Sequence, residues 1–377
     1  MRGNEASSPR VAITPASAGT VGAPPGAEFE IWRNGVRQSA LSHVADFVEA
    51  QCVPQLDHTG IDIASDVLIQ FVDGGKCLRS TFMYLGWLCG AEPDEAALRA
   101  SAGLELLQAF ALLQDDVMDD SPLRRGRPAA HVQFARWHCE HGLSGSQDRF
   151  GASLATLLSD LCLVWAEQMM RGSGMSHEAL SRAWPHYDGM RVELAIGQIA
   201  DVANDAGALP ELDVVLDVAR RKSGNYTVRR PLEIGAAMAG RDDLIDALGG
   251  YGNAVGEAFQ LRDDILGVFG SPAVTGKPAG GDLVERKATS VVVAAQRMAD
   301  SAIRRQFAEL VNADQLTEPD IAHWRNLIVA TGAADWIEEL IVERVAAATE
   351  YICDDRIDDW VQSALADMAS VCTLRVT

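Results

Sequence analysis

The run Asp115, Asp116, Val117, Met118, Asp119 puts three carboxylates within five positions. On an α-helix, residues four apart share a face about 6 Å apart along the axis, so Asp115 and Asp119 stand side by side while Asp116 points elsewhere. Adjacent carboxylates repel unless a cation sits between them. Hard oxygen ligands without His or Cys select Mg²⁺, which keeps waters and takes its remaining ligands from substrate phosphates. The run therefore predicts a magnesium bridge to a phosphate.

Spacing alone does not single out this run. Asp242, Asp243 and Asp246 repeat it, as do Asp354, Asp355 and Asp358, and in a chain this acidic both copies read as solvated helix faces or N-termini. The run at 115 has different company: the apolar stretch Leu104 to Leu113 precedes it, and the basic loop Arg124, Arg125, Arg127 follows. Asp263 and Asp264 likewise lie inside an apolar stretch, Ala254 to Val268, that leads to Gly276, Lys277 and Pro278. Carboxylates adjoining a core helix are costly unless metal and anion neutralise them.

The elements that must position these groups read as helices. Leu98, Ala102, Leu106, Phe110, Leu113 and Val117 recur every three or four residues, whereas alternating runs rich in Val, Ile and Thr are scarce. The expectation is an all-α fold, a single large helical domain over 29–377. Residues 1–28, rich in Ala, Gly, Pro and Ser, cannot recover the entropy cost of ordering and predict a flexible tail. Breakers fall at Gly74 and Gly75, Pro93, Pro122 to Pro128, Gly142 to Gly151, Gly172 to Gly174, Gly207 to Pro210 and Ser271 to Gly281. None is long enough to be a clear interdomain linker.

Composition narrows the function. The chain has 377 residues and is 48% hydrophobic, ample for a buried core. A formal charge of −21 argues against a broad basic face for nucleic acid or anionic lipid, so any bound anion must be gripped locally. No membrane anchor is expected, since Ser159, Asp160 and Glu167 interrupt the apolar stretch Leu154 to Met170. The seven cysteines form no CxxC pair, which fits reduced thiols in a cytoplasmic protein. His138, Cys139 and His141 read as a polar helix end rather than a soft-metal site.

Taken in order, six segments resemble the trans-isoprenyl diphosphate synthases, the family of farnesyl and geranylgeranyl diphosphate synthases. They are GGKCLRS at 74–80, LELLQAFALLQDDVMDDSPLRRG at 104–126, GQIAD at 197–201, KSGNYT at 222–227, GEAFQLRDD at 256–264 and GKPAGGDLVERKAT at 276–289. The resemblance implies a helical bundle around a deep central cavity, usually built as a homodimer. It implies that Asp115, Asp119 and Asp263 bind magnesium, with Asp116, Asp264, Gln198 and Asp201 supporting them from behind. Arg124, Lys222, Ser223, Gln260 and Lys277 match the groups that hold an allylic diphosphate, which Lys287 caps. Lys76, Arg79, Gln108 and Arg125 match the isopentenyl diphosphate site, where fixed cations suit an anion bound without metal.

The implied chemistry is ionisation of the allylic carbon–oxygen bond, helped by magnesium and by Arg124, Lys222 and Lys277. The isopentenyl double bond then attacks, and loss of a proton gives a trans product five carbons longer. Ala111, one turn before Asp115, leaves room for the growing chain, and Phe110 forms its floor, which favours geranylgeranyl over farnesyl diphosphate. Three departures from the family pattern stand out: Gly267 in place of a third aspartate, Cys77 and Ser80 in place of an arginine and a proline, and no glycine before Lys287. They keep two alternatives open, a class I terpene cyclase and a non-catalytic partner subunit of a true synthase.

Overall fold

Asp94 opens the helix that carries the acidic run. Its carboxylate accepts from the amides of Ala96 at 2.6 Å and Ala97 at 3.1 Å, satisfying two donors that a helix start leaves without partners. That helix is one of a long series in the computed structural model, which describes residues 25–205, 210–270, 280–313 and 315–374. In chain order they are α1 (Ala27–Phe47), α2 (Val53–Asp57), α3 (Ala64–Val72), α4 (Leu78–Leu88), α5 (Glu95–Met118), α6 (Ala130–Glu140), α7 (Gln147–Arg171), α8 (His177–Asp205) and α9 (Leu212–Ala219). There follow α10 (Arg230–Met238), α11 (Ile245–Phe269), α12 (Gly281–Val284), α13 (Ser290–Met298), α14 (Ser301–Val311), α15 (Glu318–Ala330), α16 (Ala333–Ile352) and α17 (Asp359–Thr373). The sole strand pairing among the described residues is a two-residue hairpin, β1 (Leu123–Arg124) with β2 (Arg127–Pro128). The fold is all-α.

Helix α5 is apolar around most of its circumference, as a helix at the centre of a bundle must be. Leu104, Leu106, Leu107, Ala109 and Leu113 are all buried. It packs along α7, while α4 lies on α10 and α11 lies on α16. Both α5 and α7 are long and apolar enough to cross a membrane by length and composition, but 67% of the apolar window in α5 is buried inside the bundle.

Two boundaries differ from the composition reading. The first helix opens at Ala27, just ahead of residue 29, and α7 starts at Gln147, so Gly151 lies inside a helix. The reason at α7 is local: the Ser146 hydroxyl accepts from the Arg149 amide and caps the helix start.

One segment bears directly on the site. Arg220–Arg229 winds as a π-helix between α9 and α10, a form concentrated at functional positions. It lies against α11 at the closest approach its chemistry permits, because a Cβ on Gly256 would sit 2.6 Å from the Gly224 Cα. Glycine at both positions lets Lys222 and Ser223 reach the same cavity as Asp263.

Candidate active site

A cavity of about 1060 Å³ opens among α4, α5, α7, α8, the π-helical segment and α11. It brings together residues far apart in the chain: Lys76 and Arg79, Gln108 to Asp115 on α5, Arg125, Gln198, Lys222, Ser223 and Asp263.

On the α5 wall, Asp115 accepts from the Lys222 ammonium at 3.0 Å and from Arg124 Nη2 at 3.2 Å. Burial is the largest influence on its carboxyl and acts upward, but Lys222 and Arg124 together outweigh it and hold the group below the usual carboxylate range. Lys222 also donates to Asp201 at 2.6 Å, so one ammonium ties α8 to α5. Burial alone would weaken its charge. The two aspartates more than reverse that effect, and Lys222 stays protonated.

Asp116 points away from the cavity, as its place on the helix requires, and is fully buried. It accepts from Arg124 Nε at 2.8 Å and also from Nη2. The hairpin sets this contact: Arg125 and Gly126 both adopt positive φ, the two-residue turn that suits paired strands, and it carries Arg124 back over the end of α5. Burial pushes the Asp116 carboxyl up, with Arg124 opposing. Asp264 repeats the arrangement on α11. It is buried, accepts from Gln260 at 2.8 Å and from the Ser290 amide and hydroxyl at 2.9 and 2.6 Å, and burial raises its carboxyl.

Asp119 ends α5, where its carboxylate accepts from Lys287 Nζ at 2.6 Å. Lys287 also sits 3.2 Å from Glu285. Burial would depress this ammonium, but Asp119 raises it well above its usual value. The glycine missing before Lys287 is explained here: Arg286 takes the left-handed backbone, φ 55, that a glycine would adopt freely.

A second basic group, Lys76, Arg79 and Arg125, lines the same cavity. Arg79 donates to the Thr227 hydroxyl at 2.9 Å, with its guanidinium 4.3 Å from the Tyr226 ring centroid. Arg125 donates to the Asp73 carbonyl at 3.0 Å. Gln108 lines the cavity with its Oε1 buried and lacking a hydrogen-bond partner, a polar atom placed for a ligand. Phe110 and Ala111 lie on the cavity wall, and Gln198 reaches Met118 Sδ at 3.5 Å.

Gln260 turns its amide to Asp264 and does not line the cavity; Asp119, Arg124, Asp201 and Lys287 do not line it either, but are tied to it through one another and through Asp115 and Lys222, while Lys277 lies outside the described residues. Two participants escaped the sequence reading, Tyr226 and Thr227. Both were inside the KSGNYT segment, and only the π-helical winding reveals that they seat Arg79.

No histidine is among the cavity's lining residues, and burial raises the thiol of Cys77, which does line it, so the donors left for a metal are carboxylates, Asp115 and Asp263 among them, a set that suits Mg²⁺. Among the described residues, no three potential ligands yet converge as a metal site; the carboxylates hold ammonium groups instead.

Comparisons with known proteins agree with this geometry. Residues 62–328 match the polyprenyl synthetase family. The geranylfarnesyl diphosphate synthase of Aeropyrum pernix is 33% identical over 70% of this chain and 79% of its own length. The geranylgeranyl diphosphate synthase of Mycobacterium tuberculosis is 32% identical over 74% of this chain and 75% of its own. The crystal structure of a geranylgeranyl pyrophosphate synthase from Corynebacterium glutamicum, complexed with isoprenyl diphosphate and magnesium, superposes with a TM-score of 0.85 at 35% identity, covering 90% of this chain and 99% of that one. A helical cavity with a carboxylate wall and two basic groups, matched by relatives over most of their length, leaves one assignment: the chain belongs to the polyprenyl synthetase family and is a prenyl diphosphate synthase.

Proposed function

We propose that this synthase condenses isopentenyl diphosphate with a shorter allylic diphosphate and releases geranylgeranyl diphosphate, with farnesyl diphosphate the next candidate. The observation that supports it best is the lining of a large cavity: carboxylates with Lys222, a second basic group of Lys76, Arg79 and Arg125, and apolar residues that include Phe110 and Ala111. Two diphosphates need two basic groups, and a growing hydrocarbon needs an apolar wall.

In this reading Arg124 and Lys222, with Ser223, Lys277 and Lys287, hold the allylic diphosphate and stabilise the charge that develops as it leaves. Asp115, Asp119 and Asp263 would hold Mg²⁺, whose chemistry is to neutralise that charge. Lys76, Arg79, Arg125 and the side-chain N–H groups of Gln108 orient isopentenyl diphosphate with its double bond toward the allylic carbon. Tyr226 and Thr227 keep Arg79 in place. Phe259 and Leu163 exclude water from the cation. We further propose a cytoplasmic homodimer. On α8, Val192 and Ile196 are exposed, as are Leu157 and Val164 on α7, and a second copy would cover them.

The test is product analysis of the purified chain with Mg²⁺, labelled isopentenyl diphosphate and each allylic diphosphate in turn. A twenty-carbon diphosphate is expected. Hydrocarbon formed without isopentenyl diphosphate would indicate a cyclase, and no turnover would indicate a partner subunit.

A further inference from the structure

Glu105 is a buried carboxylate that the reaction proposed above does not use. It lies on α5 ten positions before Asp115, about 15 Å back along the helix axis, and so stands apart from the acidic run. It nevertheless lines the cavity, in company with Gly75, Lys76, Cys77 and Arg79. A buried charge is costly without partners, and an apolar residue would pack α5 as well.

Its partners are the two residues that depart from the family pattern at 77 and 80. The Ser80 hydroxyl donates to Glu105 Oε1 at 2.7 Å, with the Ser101 carbonyl 3.0 Å away. A proline at 80 would have no hydroxyl to give. The Cys77 thiol faces the same carboxylate: burial first, and then Glu105, push the thiol up, so it keeps its proton and remains a donor.

Cys77 needs such an anchor. It takes left-handed backbone, φ 48, immediately before α4. That conformation is unfavourable for a residue with a Cβ and persists where surrounding contacts enforce it. The Cys77 carbonyl accepts from the Thr81 hydroxyl at 2.8 Å, which holds the turn from within α4. Glu105 holds it from α5. Lys76 comes just before this turn and Arg79 two positions after it, so the direction of both depends on how Cys77 is set.

We infer that Glu105 is a positioning residue for the isopentenyl diphosphate site: through Ser80 and Cys77 it fixes the turn that aims Lys76 and Arg79 into the cavity. This rests on the diphosphate synthase reading above. Cys77 and Ser80 are then the two donors of an anchor rather than lost binding groups. The anchored turn serves one diphosphate of the two, because Arg124 and Lys222 hold the allylic partner.

The experiment is steady-state kinetics of the full chain with Mg²⁺, varying isopentenyl diphosphate at saturating geranyl diphosphate and then the reverse. A misplacement of about 1 Å can cost about 10²-fold, so Glu105→Ala should raise the KM for isopentenyl diphosphate at least about tenfold and Ser80→Ala at least about threefold. Both variants should leave kcat and the KM for geranyl diphosphate within about twofold of the parent, the pattern of lost binding to one substrate. The double variant should be no worse than Glu105→Ala, since both act through one contact. Glu105→Gln, which keeps an acceptor for Ser80, should return to within about threefold of the parent. A role in folding alone would move kcat and both KM values together. That result, or a rise of less than about threefold in Glu105→Ala, overturns the inference. Where Glu105→Ala yields no folded protein, Ser80→Ala decides, and an unmoved KM for isopentenyl diphosphate overturns it. A parent chain that incorporates no isopentenyl diphosphate overturns the underlying reading instead, and is recognisable without any variant.

Discussion

Replacing Asp115 with asparagine removes one negative charge from the cavity and keeps the side chain's shape. Asp115 shares its two cations with other carboxylates: Lys222 retains Asp201 at 2.6 Å and Arg124 retains Asp116. Neither cation is stranded, so folding stability should change by less than about 1 kcal/mol. The chemistry should suffer far more. Loss of one preorganised electrostatic group at a reacting centre costs about 10²–10³ in kcat, roughly 2.7–4 kcal/mol of transition-state stabilisation. The KM for the allylic diphosphate should rise as well, because Asp115 is a metal ligand in this reading and metal and diphosphate binding support each other. The control is Asp243→Asn in the second acidic run, where Asp243 pairs with Arg241 at 2.9 Å on the outer surface. The assay follows labelled isopentenyl diphosphate into product at saturating allylic substrate, with urea unfolding alongside. Similar kcat losses in both variants, or a fall in Asp115→Asn that tracks lost stability, would refute the assignment of the metal-binding run.

Phe110→Ala should shift the product distribution toward chains longer by at least one five-carbon unit, read by mass spectrometry of the dephosphorylated alcohols; an unchanged distribution removes Phe110 from the floor. Native-state titration with a thiol reagent should find two fast cysteines of seven, Cys139 and Cys353, since the other five are buried and burial raises the Cys52 thiol to about 12; more than two fast thiols would contradict the packing. Glu233 is fully buried against Arg229 at 2.7 Å and Arg230 at 2.6 Å, with His186 at 3.4 Å. Burial alone would raise its carboxyl, but these partners hold it below the usual value. A depressed folded value means the stabilisation is complete above the unfolded value of about 4.3 and is lost as pH falls through the folded one. Glu233→Gln should therefore lower stability at neutral pH by about 3–5 kcal/mol and flatten the decline on acidification, measured by urea midpoints at several pH values; an equally steep decline would count against it.

The acidic run at 115 was legible because its sequence neighbours are also its spatial ones. The apolar residues before it bury α5, and the arginine loop after it folds straight back on Asp116. The rival runs are just as local: Asp354 pairs with Arg356 two positions on, and Asp358 caps α17 through the Trp360 amide. What sequence could not convey depends on contacts made across the chain. Gln260 looks like a diphosphate ligand from its motif, yet its own helix supplies Asp264 one turn away as a nearer acceptor. That the Asp282 side chain approaches α11 beside Gly267 is likewise visible only in the fold. Lys222 could be assigned to an anion from KSGNYT, but that Asp201 holds it from α8 follows only once the π-helical turn brings the two together.

That wiring says something about how the site engages its substrate. Among the described residues, Lys222 is already neutralised by Asp115 and Asp201, and Lys287 by Asp119 and Glu285. In the proposed reaction, Asp115 and Asp119 would hold the metal and Lys222 and Lys287 would turn to the phosphate oxygens, so that an arriving diphosphate would exchange partners rather than add uncompensated charge. Such an exchange keeps buried charge compensated throughout, which avoids the several kcal/mol that an unpaired ion would cost at this depth. It also makes the two events depend on each other, since neither metal nor diphosphate alone can satisfy the groups that the other leaves behind. Magnesium affinity should therefore rise in the presence of pyrophosphate and pyrophosphate affinity in the presence of magnesium, by the same factor, as linkage requires.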